Sequence, residues 1–249
     1  MRRPVVAGNW KMFKTTGEAR AFVEKFKPLV AKSTHCDIVL CPPYTSVAAA
    51  VEATRGTNIA VGAQDLHWEK QGAFTGEVSA QMLADAGCAC VIIGHSERRQ
   101  YFGETDETVA RKTSAALGAN LLPIVCVGEL LAEREASKTE AVLQTQFAGA
   151  FSALTASQFA RIIIAYEPVW AIGTGKTATP EMAADAHRFI RARAAERFGP
   201  QAAQELRILY GGSVKPDNVK GLMAQAEIDG ALVGGASLEA DSFAAIVNF

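Results

Sequence analysis

Short runs of apolar and β-branched residues recur along the whole chain, at Val5 to Gly8, Ile38 to Cys41, Ile59 to Ala63, Cys90 to Ile93, Leu121 to Val127, Ile162 to Tyr166, Leu206 to Tyr210 and Ala231 to Val233. Each has the length and composition of a buried strand. Between them the apolar positions change to a helical period, as in Ala19, Phe22, Val23 and Phe26, in Leu143, Phe147, Ala150, Phe151 and Leu154, and in Met182, Ala186, Phe189 and Ile190. Strands apolar on both faces and separated by helices predict a parallel sheet covered on both sides. Eight such units suggest closure into an α/β barrel of the (β/α)₈ type, with a doubly wound open sheet as the competing fold.

Composition supports one core. Hydrophobic residues fill 49% of the 249 positions and charged residues 20%, far from the balance of a disordered chain. No linker, low-complexity tract or shift in composition divides the sequence, so residues 1–249 are expected to form a single domain, a length that α/β barrels commonly reach.

A net charge of -1 offers no broad attraction for nucleic acid or an anionic membrane surface, so any anion must be held locally. The longest apolar stretches, such as Leu121 to Val127, are too short to cross a bilayer, and the N-terminus meets Asn9 and Lys11 too soon for a signal peptide. A cytoplasmic protein with a small-molecule ligand is expected. The cysteines Cys36, Cys41, Cys88, Cys90 and Cys126 are odd in number, lack a C-x-x-C spacing and sit largely in apolar runs. They read as core thiols, not as a disulfide framework or a metal site.

Active sites of βα barrels form at the C-terminal ends of the strands. The residues just past the expected strands are Asn9 and Lys11, Gln64, His95 and Glu97, Glu129, Glu167, then the turns Gly211-Gly212-Ser213 and Gly234-Gly235. Titratable groups and glycines therefore share one rim. The tract Ala165 to Thr179 puts Glu167 at a strand end, followed by Pro168 and a loop with Gly173 and Gly175. Its GTGKT segment is not a Walker loop, because Trp170 stands where the first glycine belongs, and Ala178 breaks a dinucleotide fingerprint. Taken singly, Glu167 could be a solvated carboxylate, His95 a structural histidine, Lys11 a surface lysine and each glycine pair a tight turn.

Taken together, NWKM (Asn9 to Met12), GHSERR (Gly94 to Arg99), YEPVWAIGTGKTAT, YGGSV (Tyr210 to Val214) and VGGASL (Val233 to Leu238) resemble the triosephosphate isomerase family, in its order and over essentially the whole chain. The resemblance implies a TIM barrel that interconverts dihydroxyacetone phosphate and glyceraldehyde 3-phosphate, a step of glycolysis and gluconeogenesis, without cofactor or metal. It makes Glu167 the proton-shuttling base. His95 becomes the neutral imidazole that polarises the carbonyl, its pKa expected to be depressed by the helix that starts behind it. Lys11 and Asn9 complete the catalytic set, with Glu97 as the partner of Lys11 and Ser96 in support.

The same resemblance puts the phosphate among Gly173, Ser213, Gly234 and Gly235, where backbone N–H groups can converge. It also turns the long aromatic segment 65–79 into a loop that enters a second subunit, Thr75 reaching the neighbour's Asn9 and Lys11, so that a homodimer is implied. Gln64, Cys126 and Glu129 are expected to support the site, while His35, His67 and His187 carry no motif. The alternatives are another phosphate-binding barrel isomerase or lyase, and a non-catalytic phosphate-binding barrel. Neither alternative requires Lys11, His95 and Glu167 together.

Overall fold

A computed structural model describes residues 2–174 and 176–249. Its eight strands are β1 (Val5–Asn9), β2 (Asp37–Cys41), β3 (Ile59–Ala63), β4 (Cys90–Ile93), β5 (Leu122–Val127), β6 (Ile163–Tyr166), β7 (Arg207–Tyr210) and β8 (Gly230–Val233). All pair in parallel with their sequence neighbours, and β8 returns to β1 through Val5↔Gly230 to Gly8↔Val233, which closes the barrel. Expected and observed strands agree to within one residue at each end. The open-sheet alternative is excluded by that last pairing.

Side-chain alternation along each strand creates two apolar layers. Val5, Ala7, Val39, Cys41, Cys90, Ile92, Ile124, Cys126, Ile163, Ala165, Leu209 and Leu232 pack inside the barrel. The intervening positions, such as Val6, Ile38, Val125 and Ile164, face the surrounding helices. All five cysteines are free and buried.

The helices begin and end where local chemistry dictates. Helix Thr16–Val30 starts at Thr15, whose hydroxyl caps Glu18 N–H while the Glu18 carboxylate returns a bond to Thr15 N–H. Its buried stripe is Ala19, Phe22, Val23, Phe26 and Val30, and Phe26 stacks on Phe243 with centroids 5.1 Å apart. Helix Pro180–Phe198 opens on a Thr179 cap with proline in the first turn and stops at Gly199, whose φ of 92° suits glycine. His187 lies on its buried face beside Ala186 and Ile190.

Candidate active site

Each strand ends at the same rim, and the predicted residues project from it. Asn9, Lys11, His95, Glu167, Gly173, Ser213, Gly234 and Gly235 line a single cavity of about 280 Å³. Every residue assigned to catalysis or phosphate binding is therefore brought together, from five different strand ends and the loop after β6.

Asn9 is the last residue of β1, and its side-chain oxygen accepts the Lys11 N–H at 3.0 Å. Lys11 takes a left-handed φ of 52°, uncommon for a residue with a side chain. Gln64 secures that turn by donating to the carbonyls of Lys11, at 2.9 Å, and Cys41, at 2.8 Å. The turn aims Lys11 Nζ across the rim, where it meets Glu97 Oε1 at 2.5 Å. Its Cε also packs 3.4 Å from where a side chain on Gly234 would begin, so the cation lies over the β8 turn.

His95 caps the short helix Ser96–Tyr101, and its Nδ1 accepts the Glu97 N–H at 3.2 Å. An accepting Nδ1 assigns the ring proton to Nε2. That atom lies 2.9 Å from Glu167 Oε1. Ser96 binds the same carboxylate, its N–H donating to Oε2 at 3.0 Å and its hydroxyl to Oε1 at 3.4 Å.

Glu167 is 2% exposed. Burial pushes its pKa up, but His95, the Ser96 N–H and the Cys126 thiol outweigh burial and hold the carboxyl below its ordinary value. His95 shows the reverse balance. Burial favours the neutral ring, yet the Glu167 charge and hydrogen bond, helped by Glu97, raise its pKa. This corrects the expectation of a depressed His95. The helix N–H contact is present, but a carboxylate at 2.9 Å is the stronger influence while the two side chains face each other.

Glycine makes room for the base on two sides. A side chain on Gly211 would start 2.9 Å from Glu167 Cγ, and one on Gly128 would overlap the Glu167 carbonyl. Gly211 falls in the Gly-Gly-Ser turn, whereas nothing local in the sequence marks Gly128 as a glycine needed for a distant approach. Ile172, Val214 and Lys215 also line the cavity without having been singled out. Lys215 lies two residues past the Gly-Gly-Ser turn, near enough in sequence to be a candidate. Glu129 is fully buried and accepts from Tyr166 at 3.1 Å and from Trp170 Nε1 at 2.9 Å. It anchors the root of the loop after β6 and stands outside the cavity lining. Gly175, expected in that loop, lies outside the described residues.

Thr75 lines no part of the cavity. It is exposed on the 65–79 segment, where His67 stacks on Trp68 and lies tilted against Phe74, each with centroids 4.3 Å away. A second cavity of about 240 Å³ adjoins the first, sharing Asn9, Lys11 and His95 and edged by Met12, Tyr44 and Phe102. Those three side chains are exposed, Met12 at 94%. Among the described residues no group of three or more His, Cys, Asp or Glu could hold a metal ion, and no helix is long and apolar enough to cross a membrane.

A family profile described as triosephosphate isomerase matches residues 4–249. The triosephosphate isomerase of Solibacter usitatus is 68% identical over 249 residues, covering all of both chains. That of Geobacter metallireducens is 60% identical, covering all of this chain and 99% of its own. Among solved structures, the triosephosphate isomerase of Bartonella henselae superposes with a TM-score of 0.89 at 42% identity, covering 99% of this chain and 98% of that one.

Proposed function

The chain belongs to the triosephosphate isomerase family, and from that premise we propose how its residues divide the work of interconverting dihydroxyacetone phosphate and D-glyceraldehyde 3-phosphate. The enzyme is an aldose–ketose isomerase. Moving a carbonyl to the adjacent carbon needs a proton taken from one carbon and returned to the next, which one carboxylate over both can do. Glu167 is that base. The enediolate between the two proton transfers needs donors already aimed at its oxygens, and Nε2 of His95, Nζ of Lys11 and the Asn9 amide surround the same cavity.

The Glu167 carboxylate is engaged by His95 and Ser96. Substrate must draw it away to expose a basic oxygen to the carbon. Removal of that carboxylate from Nε2 removes the main influence raising the His95 pKa, and burial with the Glu97 N–H at Nδ1 then favours the neutral ring that donates to the carbonyl. The phosphate sits at the opposite side, among the backbone N–H groups of Gly173, Ser213, Gly234 and Gly235, with Lys11 and Lys215 nearby as cations.

The working assembly is a homodimer in which the 65–79 segment of each subunit fills the second cavity of the other and brings Thr75 to Asn9 and Lys11. The exposed Met12, Phe13, Tyr44, Phe74, Tyr101 and Phe102 support this, as apolar surface of that size around an active-site cavity calls for a partner. Cytoplasmic residence fits five buried, unpaired thiols.

The observation that carries the reading is the meeting of Glu167, His95, Lys11 and the two glycine turns in one cavity. Purified protein given glyceraldehyde 3-phosphate should produce dihydroxyacetone phosphate, followed through a coupled reduction. Absence of activity in a folded sample would overturn the assignment.

A further inference from the structure

Strand β4 ends at Ile93, whose pairing with Val125 is the last between β4 and β5, although β5 continues to Val127. Side chains serve the chain beyond that point. Arg99 donates from Nε to the Gly94 carbonyl at 2.9 Å and from a terminal nitrogen to the Cys126 carbonyl at 3.4 Å. Gln146, on helix Thr139–Ala150, meets Gly128 with both ends of its amide. The Gly128 N–H donates to Oε1 at 2.7 Å, and Nε2 donates to the Gly128 carbonyl at 3.0 Å. One planar amide pairing with both groups of a single residue fixes the position and the tilt of that segment, as the next rung of a ladder would.

Gly128 in turn bears directly on the base. The Glu167 N–H donates to the Val127 carbonyl at 2.8 Å, and the Val169 N–H donates to Glu129 at 3.1 Å, so backbone bonds join the two segments on both sides of Gly128. Between those bonds the chains touch without an intervening side chain, since a Cβ on Gly128 would overlap the Glu167 carbonyl oxygen and lie 3.1 Å from its Cα. Movement at Gly128 is therefore movement at Glu167.

We propose that Gln146 is a positioning residue for the catalytic base, clamping Gly128 so that the Glu167 backbone is held where its carboxylate reaches the substrate carbons. The proposal rests on Glu167 being the base. Gln146 lines none of the substrate cavity; it borders a separate cavity of about 340 Å³ behind Glu167, so its influence passes through Gly128.

Two substitutions in the full-length enzyme test this. Gln146→Met keeps the length of the side chain and removes both hydrogen bonds. Gln146→Glu keeps an acceptor for the Gly128 N–H, but while ionised it turns a second oxygen toward the Gly128 carbonyl. When protonated, it again offers one donor and one acceptor. The charged groups sharing its cavity are Arg99, Glu133 and, past Gly128, Glu167.

For Gln146→Met, kcat should fall about tenfold or more, since misplacement by an ångström can cost about 10²-fold. KM and competitive inhibition by inorganic phosphate should change by less than about twofold, because the phosphate turns are untouched. For Gln146→Glu, the ratio of its kcat to that of the wild type should rise as pH falls and the new carboxyl takes up a proton. A variant damaged only in stability would not regain activity on acidification.

A kcat within about twofold of the wild type for Gln146→Met would overturn the proposal, as would a loss matched by equal weakening of phosphate inhibition. A pH-independent ratio for Gln146→Glu would also overturn it. An inactive wild-type protein would be a different result, removing the base assignment on which the proposal stands.

Discussion

His95 and Glu167 face each other across 2.9 Å, Nε2 to Oε1, with the histidine proton between them and the other ring nitrogen bound to the Glu97 N–H. On the proposed function, the pair joins the base that would receive a proton from carbon to the group that would polarise the carbonyl. Each perturbs the other, Glu167 raising His95 and His95 lowering Glu167. The lowered Glu167 pKa keeps its carboxyl ionised at neutral pH, as the proposed role of base requires.

Glu167→Gln preserves shape and leaves the glycine turns intact but provides no basic oxygen. General-base catalysis contributes about 10²- to 10⁴-fold, so kcat/KM should drop by that factor in the coupled assay. Retention of more than about a tenth of wild-type kcat/KM would show that Glu167 is not the base.

Assembly should be inseparable from activity. Replacing Phe74 and Thr75 with glutamates puts charge on the exposed part of the 65–79 segment, and a monomer with low activity is expected. Sedimentation and the isomerase assay on the same sample decide the matter, because a fully active monomer excludes a role for Thr75 in the partner's site.

The loop after β6 should protect the enediolate. Gly173 has a φ of 69° and lines the cavity that the proposed function gives to the substrate. An enediolate with phosphate on the adjacent carbon can expel it when the C–O bond aligns with the π system, and a closed loop prevents this by holding that bond near the enediolate plane. Deletion of residues 172–175 should lower isomerisation and raise the fraction of turnovers ending in methylglyoxal and inorganic phosphate. Slower isomerisation with an unchanged product ratio would leave the loop only a binding role.

His187 should set part of the acid limit of stability. It is fully buried, Nδ1 donates to the Glu227 carbonyl at 3.1 Å, and Nε2 has no partner among the described residues, so burial, with Arg191 nearby, lowers its pKa to about 3. Its unfolded value is near 6.5. The folded state thus binds fewer protons than the unfolded state between these values, and the contribution is intact above about pH 6.5 and lost as pH falls toward 3. The slope is at most about 1.4 kcal/mol per pH unit. His187→Phe should flatten urea-unfolding stability between pH 6.5 and 4.5 relative to the wild type; parallel pH dependences would refute this.

The eight strands, the helical stripes and the rim residues were all legible in the residue pattern. Those features are written in short continuous apolar runs, in apolar stripes of helical period, and in the chemistry that caps each element, as at Thr15 and Thr179. Strand-end position was enough to bring Asn9, Lys11, His95 and Glu167 together once the barrel closed. The pairing of β8 with β1, the contact of Glu167 with His95 and Ser96, and the burial of His187 with no partner for Nε2 among the described residues all arise from packing between distant segments. Nor could local pattern show Gln146 completing a ladder at Gly128, 18 residues away, or Gly128 pressing on Glu167. Contacts of this kind depend on which helix face closes over which strand end, and on the space a missing side chain leaves for a segment distant in the chain. Neither leaves a trace in the periodicity of the residues that make the contact.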